Sequence, residues 1–334
     1  MSKLRVAVVY GGRSGEHEVS IRSAQAIMAA LNTENYEVIP YLIGKDGKWD
    51  PKPILPEPGA NDGIDVVFPV LHGTFGEDGT IQGLFEMADL PYVGPGVFGS
   101  AASMDKEHFK RLSVERGLPV VEYAIVHTGN PHKTIDWDTT LNQIVERFGL
   151  PVFVKPCNLG SSVGVAKAHT VEELQAAIVD AGRYDLKVIV ERAIVGQEVE
   201  CAVLGNYRPQ ASTPCEILPS KEFYDYDDKY LLDQAKTVIP PNLSEEKIEE
   251  VQRLAIECFQ AMDCSGMARV DFLIEKATGN IYINEINTIP GFTSISMYPK
   301  MWEHAGCPFD MLVGMLLSLA LERHSLRQAL RYER

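Results

Sequence analysis

The sequence predicts an α/β chain of more than one domain, and three observations carry that expectation. A length of 334 residues is more than one hydrophobic core comfortably serves. The first hundred residues alternate apolar runs with amphipathic stretches, the order of a parallel sheet flanked by helices. The rest divides into two further groups of strands and helices, with a boundary near Ser103 and another near residue 195.

Each element follows from its pattern. LRVAVVY (4–10) reads as a buried strand, GGRSGEHE (11–18) as a glycine-rich turn and VSIRSAQAIMAAL (19–31) as an amphipathic helix. YEVIPYLIG (36–44) and DVVFPVLHG (65–73) are further strands, joined by the Pro/Gly-rich DPKPILPEPGANDG (50–63). AASMDKEHFKRLSVERG (101–117) reads as one helix ended by Gly117. A second unit, 104–195, sets the strands VVEYAIV, PVFVKP and KVIVERA around the helices WDTTLNQIVERFG and TVEELQAAIVDAG. A third, 196–334, opens with the strand QEVECAVLG. It continues through the polar aromatic loop KEFYDYDDKYL, the helix SEEKIEEVQRLAIECFQAM and the hairpin DFLIEKATGNIYINEIN (271–287) to a terminal helical region.

Composition narrows the function. A formal net charge of −15 argues against nucleic acid or an anionic membrane as partner, since both want a basic face. MLVGMLLSLAL (311–321) is far short of a membrane span and reads as a buried helix. The opening residues run into a strand without a charged leader, apolar core and cleavage site, and the six cysteines form no CxxC pair. Both point to a cytoplasmic protein with reduced thiols.

The hairpin carries the sharpest signal. With Lys276–Asn280 as a five-residue loop, Asp271 lies opposite Glu285, Arg269 opposite Asn287, Leu273 opposite Ile283 and Glu275 opposite Ile281, all eight on one face. Opposed acids would have Cβ atoms ~4.5–5.5 Å apart, where like charges destabilise a sheet. Either the acids splay into solvent, or a cation sits between them. Oxygen donors from Asp271, Glu285 and Asn287 suit Mg²⁺ or Mn²⁺, and Mg²⁺ commonly arrives with substrate phosphates.

Two familiar patterns are rejected. Gly94-Pro95-Gly96-Val97-Phe98-Gly99 matches GxGxxG, but it ends the first unit instead of following its opening strand. Gly160-Ser161-Ser162-Val163-Gly164 matches GxSxG, but VGVAKA follows it and reads as a strand where a nucleophile elbow needs a helix. NLGSSVG (158–164) instead suits a phosphate lid, its backbone N–H groups converging on an anion beside Lys155; the plainer alternative is a flexible hairpin with a surface lysine. VIVERAIVGQEVE then places Glu191 at a strand end and Glu198 after a short connector, where backbone could meet a purine edge and a carboxylate a ribose.

Lysine strand, glycine-rich hairpin, acidic connector and two-strand metal site, in that order, resemble the ATP-grasp ligases. Read together, GGRSGEHEVS, HGTFGEDGTIQG, YVGPG, MDK, VKPCNLGSSVGV, FYDYDDKY and NEINTIPGFTSIS resemble the D-alanine–D-alanine ligase family within them, over essentially the whole chain. That resemblance implies a three-domain ATP-grasp fold: an N-terminal parallel-sheet α/β domain (1–103), a lid domain (104–195) and a C-terminal domain (196–334), the last two sandwiching ATP. It implies ATP-dependent joining of two D-alanine molecules through an acyl phosphate, for peptidoglycan precursor synthesis, by a homodimer. D-serine or D-lactate as acceptor is the nearest alternative, and a non-catalytic nucleotide-binding protein a remote one.

Residue roles follow from the same resemblance. Lys106, Lys155 and Lys229 match phosphate contacts. Glu191 and Glu198 match adenine and ribose partners, with the backbone of Arg192 and Ile194 facing the purine. Asp271, Glu285 and Asn287 match ligands of two Mg²⁺ (or Mn²⁺) ions. Arg269 and the Gly291 N–H match the oxyanion site, although a surface arginine pairing with an acid is the simpler reading of Arg269. Glu16 matches the anchor of the first ammonium, where a helix N-terminal acid is the simpler reading. Ser161 and Tyr230 match a link from the lid to Glu16, and Ser296 with the Met297 backbone matches the clamp on the second carboxylate. His72 has a supporting or catalytic place near the substrates. The loop 221–232 is expected to move with ligand.

Overall fold

The computed structural model describes residues 3–129, 134–218 and 236–331. Its first sheet holds β1 (Leu4–Gly11), β2 (Tyr36–Ile43), β3 (Trp49–Asp50) and β4 (Val66–Pro69) in the order β3-β2-β1-β4. β1 runs parallel to both β2 and β4, and β3 adds a short antiparallel edge, not expected from the sequence, that ends where the Pro/Gly-rich connection begins. Val6, Ala7, Val8 and Val9 are all fully buried, as a strand covered on both faces requires. α1 (His17–Ala30) lies over one face, and α2 (Thr80–Met87) follows the third parallel strand.

The single helix expected over 101–117 is two. α3 (Val97–Met104) and α4 (Lys106–Glu115) break at Asp105. The Asp105 carboxylate accepts from the backbone N–H of Glu107 and His108, which caps α4. Lys106 thereby becomes the first residue of a helix.

The second sheet, wholly antiparallel, runs β5-β8-β6-β7 from β5 (Tyr123–His127), β6 (Val152–Pro156), β7 (Ala166–Ala168) and β8 (Lys187–Arg192). α5 (Trp137–Phe148) and α6 (Val171–Ala181) close its core through Leu141, Ile144, Leu174 and Ile178. β7 is shorter than the expected VGVAKA strand because residues 161–164 turn first.

The third sheet contains β9 (Gly196–Gly205), β10 (Gln210–Ala211), β11 (Cys215–Leu218), β12 (Lys236–Val238), β13 (Gly266–Glu275) and β14 (Ile281–Asn287). The order is β12-β11-β9-β13-β14, with β10 beside β9. α7 (Glu245–Ala261) covers its inner face with Val251, Leu254, Ala255, Cys258 and Phe259. The final helices, α8 (Met297–His304) and α9 (Phe309–Gln328), lie between the third sheet and the first, sharing one core with Ala202, Leu204 and Met267 of the third. Leu312, Val313, Leu316 and Leu317 share a core with Val6, Val8 and Phe68. Phe292 sits at that junction, 5.9 Å from the Phe68 ring and 5.6 Å from that of Tyr298. The chain's end therefore ties the segment after β14 to the first sheet. Among the described residues no single helix is long and apolar enough to cross a membrane.

Candidate active site

On the hairpin β13–β14, Asp271 pairs with Glu285 and Arg269 with Asn287, as the spacing predicts. Nearer the turn the expected register fails. Leu273 faces Tyr282 and Ile274 faces Ile281, because the loop closes one residue early: Glu275 N–H donates to Asn280 O at 2.9 Å. A bulge at Asn284, between the Phe272–Ile283 and Asp271–Glu285 pairs, restores the count. Ile281 and Ile283 consequently point into the core, not onto the acidic face.

That face is more acidic than the hairpin alone suggests. β9 places Glu200 opposite Asp271 on the other side, giving a rung of three carboxylates across three strands. Arg269 answers two of them: Nε and Nη2 each lie 2.7 Å from an Asp271 oxygen, and Nε lies 3.2 Å from Glu200. Asn287 Nδ2 donates to Asp271 at 3.0 Å, and the Lys106 ammonium stands 3.7 Å from Glu285. Asp271, Glu285 and Asn287 offer only oxygen donors toward a cation, the donor chemistry that hard divalent ions take.

Lysines come from other elements. The Lys106 N–H is bonded to Cys157 O at 3.0 Å, and its ammonium donates to Leu159 O at 2.7 Å, which fixes it under the lid. Behind it, Lys187 contacts Asp105 at 2.6 Å and Glu107 at 3.0 Å. These two acids and His108 are close enough together to hold a metal ion, but the Lys187 ammonium already lies between the acids. Burial would raise the Asp105 carboxyl, yet bonds from Lys187 and the His108 N–H hold it at about 2. Lys155 lies 2.6 Å from Glu191 and 3.3 Å from Asn284 Oδ1, so the bulge residue reaches into the site. Burial pulls the Lys155 ammonium down, but Glu191 and Glu285 outweigh it and raise it.

Glu191 departs from its expected surroundings. It is a buried side chain whose two oxygens each meet an ammonium at 2.6 Å, Lys110 on one and Lys155 on the other. Burial would push its carboxyl up, but the two lysines hold it at about 2. Glu198 lies beyond it on β9, opposite Leu273, and lines the same cavity as Ile194. The Arg192 side chain turns away to Glu275 at 2.7 Å and across the Tyr282 ring.

Two adjoining cavities result. The larger, about 520 Å³, is lined by Lys106, Lys155, Glu191, Glu198, Asp271 and Glu285. The smaller, about 80 Å³, is lined by Glu16, His72, Arg269, Asn287, Gly291 and Ser296. Ser161 stands where they meet and donates to Glu16. Ser161 and Ser162 both have positive φ, 53° and 59°, a strained conformation for serine and one that shapes the lid turn. Gly291 lies close against Ser296: a Cβ there would come within 2.7 Å of Ser296 Oγ, so any larger residue would displace that hydroxyl. Lys229, Tyr230 and the loop 221–232 lie outside the described residues.

Four residues escape sequence reasoning. Glu200 had a signal, alternating with Glu198 on β9. Lys110 is one helical turn from Lys106. Glu77 stands in HGTFGEDG, where it accepts from Gly73 N–H and Ile289 N–H, each at 2.9 Å, and so clasps the segment after β14 to the first unit. Burial and the nearby Glu16 charge push Glu77 up to about 7. Beside it, His72 is buried between Ile289 O at 2.9 Å and Ser23 Oγ at 3.2 Å, and burial lowers its pKa. Asn284 had no signal, because a bulge leaves none in the spacing.

A family model described as D-ala D-ala ligase C-terminus matches residues 112–318, and one described as D-ala D-ala ligase N-terminus matches 5–62 and 55–95. The D-alanine--D-alanine ligase of Solibacter usitatus (strain Ellin6076) is 61% identical over 332 residues, 99% of this chain and 100% of that one. The chain belongs to the D-alanine–D-alanine ligase family. Among solved structures it is similar to the D-alanine-D-alanine ligase from Coxiella burnetii, with a TM-score of 0.87 and 37% identity, covering 98% of this chain and 97% of that one. It is also similar to the VanG D-Ala:D-Ser ligase from Enterococcus faecalis, with a TM-score of 0.85 and 35% identity, covering 96% and 100%. The fold is accordingly ATP-grasp, and the family's chemistry uses ATP and a divalent metal.

Proposed function

We propose that the chain joins two D-alanine molecules at the expense of ATP, releasing ADP and phosphate, in the cytoplasm and for peptidoglycan precursors. One observation carries the reading: an acidic rung and a pair of lysines line one cavity of about 520 Å³, the pairing of charges a metal–polyphosphate needs. The three sheets support domains over 1–103, 104–195 and 196–334, and the family likeness supports a homodimer.

The division of labour is the one the family likeness implies, and the geometry of the described residues supports it. Lys106 and Lys155, with Lys229, hold the phosphates; Glu198 takes the ribose; the backbone of Arg192 and Ile194 faces the purine. Each Glu191 oxygen keeps a lone pair for the purine amino group. Glu16 anchors the ammonium of the first D-alanine, whose carboxylate attacks the γ-phosphorus while ADP departs. The amine of the second, having shed its proton, adds to the acyl phosphate carbonyl, and phosphate leaves from the tetrahedral adduct. Arg269 and the Gly291 N–H stabilise the oxyanion. Ser296 and the Met297 backbone hold the second carboxylate, and Ser161 with Tyr230 ties the lid to Glu16. Divalent cations held by Asp271, Glu285 and Asn287, two Mg²⁺ or Mn²⁺ by the family likeness, supply charge neutralisation for phosphoryl transfer.

The similarity to a D-Ala:D-Ser ligase keeps D-serine as a second acceptor reading, against which the higher identity of the Solibacter relative weighs. The test is coupled ADP release with D-alanine, L-alanine, D-serine or D-lactate, with and without Mg²⁺. Release is expected with D-alanine and metal alone. Equal release with L-alanine, or with no divalent ion, overturns the reading.

A further inference from the structure

Lys110 has no part in that chemistry, yet its position is costly. It lies on α4, its side chain is 1% exposed, and its ammonium sits 2.6 Å from Glu191 and 5.8 Å from the Tyr123 ring centroid. It does not line the larger cavity, whereas Glu191 and Lys155 both do. Taking an ammonium out of water costs several kcal/mol, and apolar replacements of buried ion pairs are often neutral or stabilising. Stability alone is a poor reason for a lysine here.

Charge supplies a better one. If Lys155 met Glu191 alone, the two would form a neutral pair, and little net charge would face the cavity. With Lys110 on the other oxygen, two ammoniums share one carboxylate and the trio keeps one positive charge. The exposed member of the trio is Lys155, at 15% against 1% for Lys110 and 5% for Glu191.

We propose that Lys110 is a positioning residue: by engaging Glu191 from behind, it leaves the Lys155 ammonium a net positive group aimed at the nucleotide's polyphosphate. This rests on the cavity being the nucleotide site. It assigns Lys110 to ATP and not to the amino acids, so KM for ATP and KM for D-alanine must respond differently.

The experiment measures binding of ADP and of inorganic tripolyphosphate by calorimetry in Mg²⁺ buffer, with both KM values, on the whole protein. In Lys110→Met, both Kd values and KM for ATP are expected to rise about tenfold or more, the scale of one unit charge acting at moderate range. KM for D-alanine should stay within about twofold. Glu191→Gln in the Lys110→Met background restores the surplus charge and should recover most of the tripolyphosphate affinity. Glu191→Gln alone, which removes the carboxylate charge between the two lysines, should bind tripolyphosphate more tightly than the parent, and this arm serves if Lys110→Met fails to fold. Unchanged affinities in Lys110→Met, equal rises in both KM values, a double variant no better than the single, or no tightening in Glu191→Gln overturns the inference. Failure of the parent protein to bind either ligand overturns the nucleotide reading as well.

Discussion

Two charged clusters meet at the larger cavity, one on the hairpin β13–β14 and its neighbour β9, the other on β6, β8 and α4. On the hairpin side, Glu200, Asp271 and Glu285 stand in one rung, answered by Arg269 and Lys106. On the lysine side, Lys110 and Lys155 share Glu191. Glu200 at 6% is nearly as deep as Glu191, so what differs in depth is the outermost acid of each. Glu285 keeps a quarter of its side chain exposed, at 25%, whereas Glu191 keeps 5% and Lys110 only 1%. A buried charge must be matched inside the protein, because desolvation leaves it no other partner. A half-open acid can wait for a cation from solution. Glu191 is therefore satisfied by fixed protein partners, whereas Glu285 is open enough to take the cation proposed above. A polyanion escorted by metal is the ligand that satisfies both.

The largest break in this comparison comes from Arg269, the cation that makes the acidic rung tolerable. Arg269→Ala should lower turnover by at least ~100-fold, the loss typical of an oxyanion donor. Steady-state rates at saturating substrate measure it, and a near-normal rate would remove the catalytic role proposed for it.

Glu77 extends the acidic side toward the first sheet, and its effect should be smaller. Its carboxyl is pushed up to about 7, above the ordinary carboxylate range, so the folded state favours the neutral form. The stability it lends is complete below its unfolded pKa and is lost as pH rises through about 7. The melting temperature of the parent protein should fall between about pH 5 and pH 8, and Glu77→Gln should lack that fall. Glu77→Gln should also be less stable at the acid end by about 1–3 kcal/mol, because one clasped N–H loses its acceptor. Parallel melting curves for the two proteins across that range would exclude Glu77 as the titrating group.

Lys155 and Glu191 could be picked out singly; why the acidic pairing was legible, and the sharing of Glu191 with Lys110 was not, follows from their chemistry. Asp271, Glu285 and Asn287 sit on one short ribbon where period-two spacing and a glycine turn set the pairing. Their conflict of charge can be read from the letters. The actual register differs at Leu273 and Glu275, yet a shortened loop and the Asn284 bulge cancel by the time the acids are reached. The lysine cluster joins α4, β6 and β8, segments far apart in sequence, and no spacing rule links Lys110 to Glu191. The split of the helix at Asp105 was likewise hidden, because a capping aspartate inside a helical pattern reads as one more polar residue until its side chain turns back to Glu107 and His108. Tertiary matching of charge is what the letters conceal.

The smallest predicted effect lies on the seam between the clusters. Asn284 is the extra residue of the bulge, and its Oδ1 accepts from Lys155 at 3.3 Å. Asn284→Ala removes that acceptor but leaves the stronger contact to Glu191, so Lys155 should wander without being released. The expected consequence is a rise in KM for ATP of roughly 2–10-fold, the scale of a single hydrogen bond, with D-alanine kinetics unchanged. Because Asp271 and Glu285 already pair on the far side of the bulge, the dependence on Mg²⁺ concentration should be unaltered. If Asn284→Ala shifts the Mg²⁺ requirement as well, the bulge sets the acid rung itself, and the two clusters are one structural unit instead of two.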